Sequence, residues 1–167
     1  PSLGCQARGI APLCPSCADG NPGNCENFAE GKFAPGMFIG ICKDVNGAFA
    51  EYAVAHQSQV CRVPEAVSPE AATLTEPLAV GLQAVLDNRP GNSDRILVIG
   101  GGVIGTMIVK AIRGLDIACD ITVMEPAPFA AAYVKSSGAD RTFSAGILDA
   151  ACEVAGGRSY KPALGDP

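Results

Sequence analysis

Residues 95–105 read RILVIGGGVIG, and this stretch limits the possible folds more than any other part of the chain. The continuous apolar run at 95–99 suits a strand buried on both faces of a parallel sheet. Glycines follow at once, and Gly100, Gly102 and Gly105 form a G-x-G-x-x-G turn. Val103, Ile104, Met107, Ile108, Ala111 and Ile112 then fall on one stripe of a helix over 103–114. A second strand is predicted at 120–124 (DITVM), ending at Glu125. In such a unit the first glycine permits the tight turn and the second lets backbone approach a pyrophosphate. The third lets helix pack on strand. Free N–H groups at the helix start favour an anion, and an acid closing the next strand accepts hydrogen bonds from a ribose. A carboxylate there disfavours an additional ribose phosphate. The competing reading is a doubly wound domain whose glycines serve packing alone. No Lys-Ser/Thr pair follows the glycines, so an ATP-type phosphate loop is poorly supported.

The surrounding segments continue the α/β rhythm. Ser68-Pro69-Glu70 supplies an N-cap, a proline for the first helical position and a first-turn acid. Helices are predicted at 69–74 and 76–87. Beyond Glu125, a helix is predicted at 129–137, a third short strand at 141–143 and a helix at 147–155. Residues 156–167 read as turns. Before residue 65 regular signals are sparse. Residues 49–55 (FAEYAVA) and 59–63 (QVCRV) suggest short strands, the second stopped by Pro64.

The cysteines give a second, independent signal. The chain has 8 Cys, and Cys14, Cys17 and Cys25 lie in APLCPSCADGNPGNC, a turn-rich stretch that buries little apolar surface. A C-x2-C turn presents two soft ligands to one tetrahedral ion, and such a loop gains its order from metal. Cys14, Cys17 and Cys25 are therefore expected structural zinc ligands. Cys5 is the expected fourth, with Cys42 in reserve. Disulfides, a redox-active dithiol and an iron–sulfur site are the alternatives. Cys42, Cys61, Cys119 and Cys152 sit singly beside apolar residues and read as small hydrophobes. Composition narrows the partners. With 48% hydrophobic residues a core is expected, and a net charge of −5 gives no general attraction to nucleic acid or an anionic membrane. No apolar run reaches the ~18 residues of a membrane span, and no signal peptide is visible.

Taken together these motifs resemble the zinc-dependent medium-chain alcohol dehydrogenases, most of all their polyol and threonine dehydrogenase members. Cys14, Cys17 and Cys25 match the last three cysteines of that family's structural zinc lobe. Residues 47–52 (GAFAEY) resemble its Gly-x-Phe-Ala-Glu-Tyr segment, and 71–78 (AATLTEPL) its A-A-L-x-E-P-L stretch. Gly100 to Gly105 match the coenzyme turn, and Gly138-Ala139-Asp140 the Gly-Ala-Asp after the second helix. The resemblance implies an α/β fold in two parts. Residues 1–75 would be the C-terminal portion of a GroES-like catalytic domain with its zinc lobe. Residues 76–167 would be the first half of a Rossmann dinucleotide-binding domain. It implies zinc and NAD as cofactors, an alcohol or polyol substrate, a homo-oligomer and a cytoplasmic setting. Gly100, Gly102, Val103, Ile104 and Gly105 would hold the pyrophosphate, and Glu125 the ribose.

The departures bear on activity. Ala11 stands where the family's first lobe cysteine is expected, so Cys5 must substitute through the Arg8-Gly9-Ile10 turn. The family's catalytic zinc uses a Cys and a His-Glu pair that this chain does not supply. Its only histidine, His56, is expected at the surface. Glu76 alone matches a catalytic-zinc position, as a ligand or close neighbour. One carboxylate cannot hold a zinc with an open position. The expectation is an interior fragment of a dehydrogenase, inactive by itself. The rival is a non-catalytic zinc module for oligomerisation or interaction.

Overall fold

The computed structural model describes residues 2–144 and 146–158. Contacts divide the chain into two compact units, Pro1–Pro64 and Glu65–Pro167. This division falls ahead of the boundary after residue 75 expected from the sequence. The predicted turns beyond residue 158 lie outside the described residues.

The first unit is mostly irregular. Two single-turn helices, α1 (Cys5–Arg8) and α2 (Pro15–Ala18), and 3-10 turns at Pro22–Asn24 and Gln57–Gln59 are its regular elements. Helix α1 ends on Gly9 in the left-handed region (φ 68°), whose N–H bonds back to α1 carbonyls. Buried Cys5, Cys14 and Cys25 form its core cluster, with Ile10, Leu13 and Cys17 packed on them. The strands expected at 49–55 and 59–63 do not form. Phe49, Tyr52, Val54 and Val60 are all exposed. Among the described residues, the one β pairing in this unit is an isolated antiparallel bridge from Ser2 to Phe38. A β-prone sequence without a neighbouring ladder leaves its N–H and C=O groups to water and stays irregular. The second segment is also pre-empted locally. His56 caps the Gln57–Gln59 turn, accepting from Ser58 N–H while its own N–H donates to Gln59 Oε1.

The second unit follows the sequence expectation closely. Helix α3 (Pro69–Ala72) starts where Ser68 Oγ accepts the Ala71 N–H at 3.2 Å. It is shorter than predicted, and Thr73 Oγ1 donates back to the Glu70 carbonyl at its end. Helix α4 (Thr75–Asp87) packs on α5 (Val103–Gly114). A Cβ at Gly81 would stand 2.8 Å from Ile108 N, so glycine permits this helix approach.

Strands β1 (Arg95–Ile99), β2 (Asp120–Met124) and β3 (Arg141–Phe143) form a parallel sheet in the order β1-β2-β3. Ile121 and Val123 of the central strand are fully buried. Each contributes roughly 1.5–3 kcal/mol by leaving water. Helix α6 (Pro128–Ser136) packs on β2 and β3, and α7 (Ile147–Ala155) on β1 and β2. The order is the first half of the doubly wound arrangement, with strand succession running outward to one edge.

Gly105 sits where α5 meets β1, and a Cβ there would collide with the Gly100 carbonyl oxygen. Gly105→Ala is expected to destabilise the second unit by about 1–3 kcal/mol through overpacking. Gly102→Ala should be close to neutral, because a Cβ at Gly102 meets nothing within 4 Å. Urea unfolding of both variants checks the contrast.

Candidate metal lobe and dinucleotide turn

The sequence places three cysteines near one another, and the backbone brings a fourth to them. Cys14 is the N-cap residue of α2 and Cys17 lies within that helix, so one turn carries both thiols. Cys25 follows the Pro22–Asn24 turn, and Cys5 opens α1. The sulfurs of Cys5, Cys14, Cys17 and Cys25 all lie within 4.8 Å of one another. A zinc ion bonded to four sulfurs at about 2.3 Å spaces them by about 3.8 Å in a tetrahedron. Cys5 Sγ and Cys25 Sγ are 3.7 Å apart. The donor set and its spacing fit zinc. Cys42 is excluded from the cluster. It is buried, and its thiol donates to the Ala34 carbonyl at 3.3 Å.

The thiols of the lobe differ in how readily they ionise. The Cys14 backbone N–H, followed by burial in the opposite sense and by the Asn27 amide, brings the Cys5 thiol down to about 7. Burial pushes Cys17 up to about 12 and also raises Cys25. Desolvated thiols resist ionisation until a cation supplies the compensating charge, and thiolate is the ligating form. Two polar side chains of this part of the fold were not visible in the sequence. Asn27 Nδ2 donates to Cys5 Sγ at 3.4 Å, and Arg8 is completely buried beside the lobe on α1. A lone arginine or asparagine in a loop carries no periodic or spacing signal.

The glycine turn is built from backbone and one carboxylate. Gly100 adopts φ 95°, open to glycine, and its N–H reaches the Met124 carbonyl at 2.8 Å. Glu125 Oε2 accepts the Gly101 N–H and Oε1 the Ala127 N–H, each at 2.8 Å. The Ala127 amide, then the Gly101 amide, hold this half-buried carboxyl below the ordinary carboxylate range. Thr106 N–H makes the first backbone bond of α5, to Gly102. The amides of Val103, Ile104 and Gly105 therefore stand in the first turn, where a helix leaves donors to an outside partner. Space over Gly102 is open and that over Gly101 is filled by Glu125 and Val134. Open space at the second glycine suits the approach of a pyrophosphate.

The remaining sequence candidates belong to neither feature. Glu76 is exposed in the first turn of α4. Among the described residues, the four-cysteine cluster is the one group of three or more potential ligands, and Glu76 is outside it. His56 is half-buried, hydrogen-bonded to Ser58, and edges a cavity of about 450 Å³ with Tyr52 and Gln59. Among the described residues no helix is long and apolar enough to cross a membrane.

Fold and site define a class: a thiol-rich metal lobe joined in sequence to the opening half of a dinucleotide-type sheet. Comparison with known proteins narrows it. No family model matches the chain. The starvation-sensing protein RspB of Escherichia coli K12 is 30% identical over 127 residues, 76% of this chain and 34% of RspB. Sorbitol dehydrogenase of Bacillus subtilis is 31% identical over 134 residues, 79% of this chain and 38% of that enzyme. Among solved structures, a zinc-binding dehydrogenase (gutB) of Clostridium scindens superposes with a TM-score of 0.65 at 29% identity. It is matched over 87% of this chain and 38% of its own. An alcohol dehydrogenase (rspB) of Escherichia coli CFT073, complexed with NADH, gives 0.69 at 26% identity, covering 87% and 41%. The chain is similar to zinc-dependent medium-chain dehydrogenases, and it spans about a third of the length of the curated relatives it matches.

Cys5→Ser is expected to abolish stable zinc retention during gel filtration, whereas Cys42→Ser should retain zinc as the wild type does. Zinc-to-protein ratios by elemental analysis check both.

Proposed function

We propose that this chain is part of a zinc- and NAD-dependent alcohol or polyol dehydrogenase, transferring hydride between a secondary alcohol and NAD. The observation that carries the reading is the pairing, in one chain, of the four-thiol lobe with a glycine turn open at Gly102 and closed by Glu125. When bound, the nicotinamide supplies the hydride chemistry. The backbone of Gly100, Gly102, Val103, Ile104 and Gly105 holds the pyrophosphate. Glu125, already fixed by two backbone amides, accepts the ribose hydroxyls and disfavours a ribose phosphate. Cys5, Cys14, Cys17 and Cys25 hold a structural zinc that shapes the lobe and does no chemistry.

Glu76 serves as a ligand or close neighbour of a second, catalytic zinc whose other ligands come from parts of the enzyme beyond these residues. The 167 residues therefore do not catalyse alone. Residues 1–75 belong to the GroES-like catalytic domain and 76–167 to the Rossmann domain of a cytoplasmic homo-oligomer.

One observation favours a second reading. Glu76 has no other metal-ligating side chains grouped with it among the described residues, which suits a structural zinc module without catalysis. NADH titration with zinc analysis separates the two. The dehydrogenase reading expects one zinc per chain and NADH binding that Glu125→Ala weakens about ten-fold, the loss of one charged hydrogen bond. One zinc without NADH binding would support the module instead. Two zincs would contradict the incomplete catalytic site.

A further inference from the structure

Arg8 is fully buried, and its guanidinium is charged at any physiological pH. All five of its N–H donors are directed at backbone carbonyls. Nε donates to Leu3 at 3.1 Å, and Nη1 to Glu30 at 2.8 Å and Phe33 at 3.0 Å. Nη2 donates to Ala34 at 3.0 Å and Gly36 at 2.6 Å. The donors are satisfied, yet among the described residues no carboxylate takes any of them. A buried charge is costly unless an opposite charge offsets it. Arg8 lies one helical turn after Cys5 in α1, and residues three apart share a helix face. A divalent ion held by four thiolates is a net dianion, which is the counter-charge this cation lacks.

The same helix is tied by two further bonds to the loop that Arg8 clasps and to Asn27 just before it. Asn27 Nδ2 donates to Cys5 Sγ, and the Lys32 N–H donates to the Arg8 carbonyl at 3.1 Å. The approach is close enough that a Cβ at Gly31 would lie 2.7 Å from that carbonyl oxygen, and Gly31 has φ 87°. One end of a four-residue helix thus supplies a metal ligand, and the other end grips residues 30–36. Little rotation of α1 is possible without disturbing both.

We propose that Arg8 is the counter-cation of the metal-loaded lobe and the clamp that passes metal capture by Cys5 on to residues 28–36. The proposal rests on the zinc lobe assigned above. It makes Arg8 a positioning residue, with no part in contacting substrate. The guanidinium acts in two separable ways. Its charge favours the anionic metal centre, and its planar fork holds four loop carbonyls at once. Lysine would keep the first property and lose most of the second.

The test uses the full 167-residue chain and zinc alone as the probe. Hydrogen–deuterium exchange of residues 28–36 is followed with zinc bound and after its removal by a chelator. Residues 97–124 serve as an internal reference. The expected result is protection of 28–36 with zinc and loss of that protection without it, the reference being unchanged. Zinc competition with a chromophoric chelator is then run on two variants. Arg8→Met should weaken zinc binding by about 10–100-fold, the usual cost of losing a group that supports the ligands. Arg8→Lys should recover most of the affinity while leaving 28–36 unprotected. Should Arg8→Met fail to fold, the wild-type exchange and Arg8→Lys decide the matter. One zinc per chain with exchange of 28–36 unaffected by metal would overturn the clamp and leave the zinc lobe standing. Failure of the wild type to bind zinc would overturn both.

Discussion

The convergence of Cys5, Cys14, Cys17 and Cys25 sets the path of the first unit. That unit has little else to hold it, for its core cluster is made of these thiols with Ile10 and Leu13 around them. Structural zinc contributes about 10–16 kcal/mol to the folding of zinc-finger peptides. A whole domain is typically stable by only about 5–15 kcal/mol. The contribution of such a metal, held by the four thiols, would be large enough to decide whether the loops of the first unit have one conformation. The turns that carry the ligands are the consequence, and Arg8 extends the same constraint to residues 28–36.

The second unit rests on different physics. Ile121 and Val123 at the centre of the sheet, with Val109 and Ile112 on α5, are buried almost completely. The glycine turn depends on that packing, since Gly105 lets α5 descend on β1 and Gly102 keeps the space above the turn clear. Glu125 closes the turn with both oxygens on backbone amides. The carboxylate is thus oriented by the fold before any ribose reaches it.

Much of the second unit was legible in the sequence because each of its elements carries its own local signal. The run 95–99, the stripe 103–114 and the run 120–124 coincide with β1, α5 and β2, and the helices before and after are displaced by a residue or two. Hydrophobic periodicity suffices there because burial follows it. In the first unit it misleads. Residues 49–55 have strand composition, yet no ladder lies beside them and Phe49 and Tyr52 face solvent. Strand formation depends on a partner that a local sequence does not announce. The thiol cluster was legible for Cys14, Cys17 and Cys25 through spacing. Cys5 joins it through the Gly9 turn, as the substitution at Ala11 required. Arg8 and Asn27 were illegible because their roles are defined by carbonyls and a sulfur distant in sequence.

The central claim is a four-sulfur metal site completed by Cys5. Zinc K-edge X-ray absorption on the zinc-loaded chain tests it most directly. The account predicts a single shell of four sulfurs at about 2.3 Å, reduced to three sulfurs and a lighter atom in Cys5→Ser if that variant is held in excess zinc. A wild-type shell of three or fewer sulfurs completed by nitrogen or oxygen near 2.0–2.1 Å would contradict it.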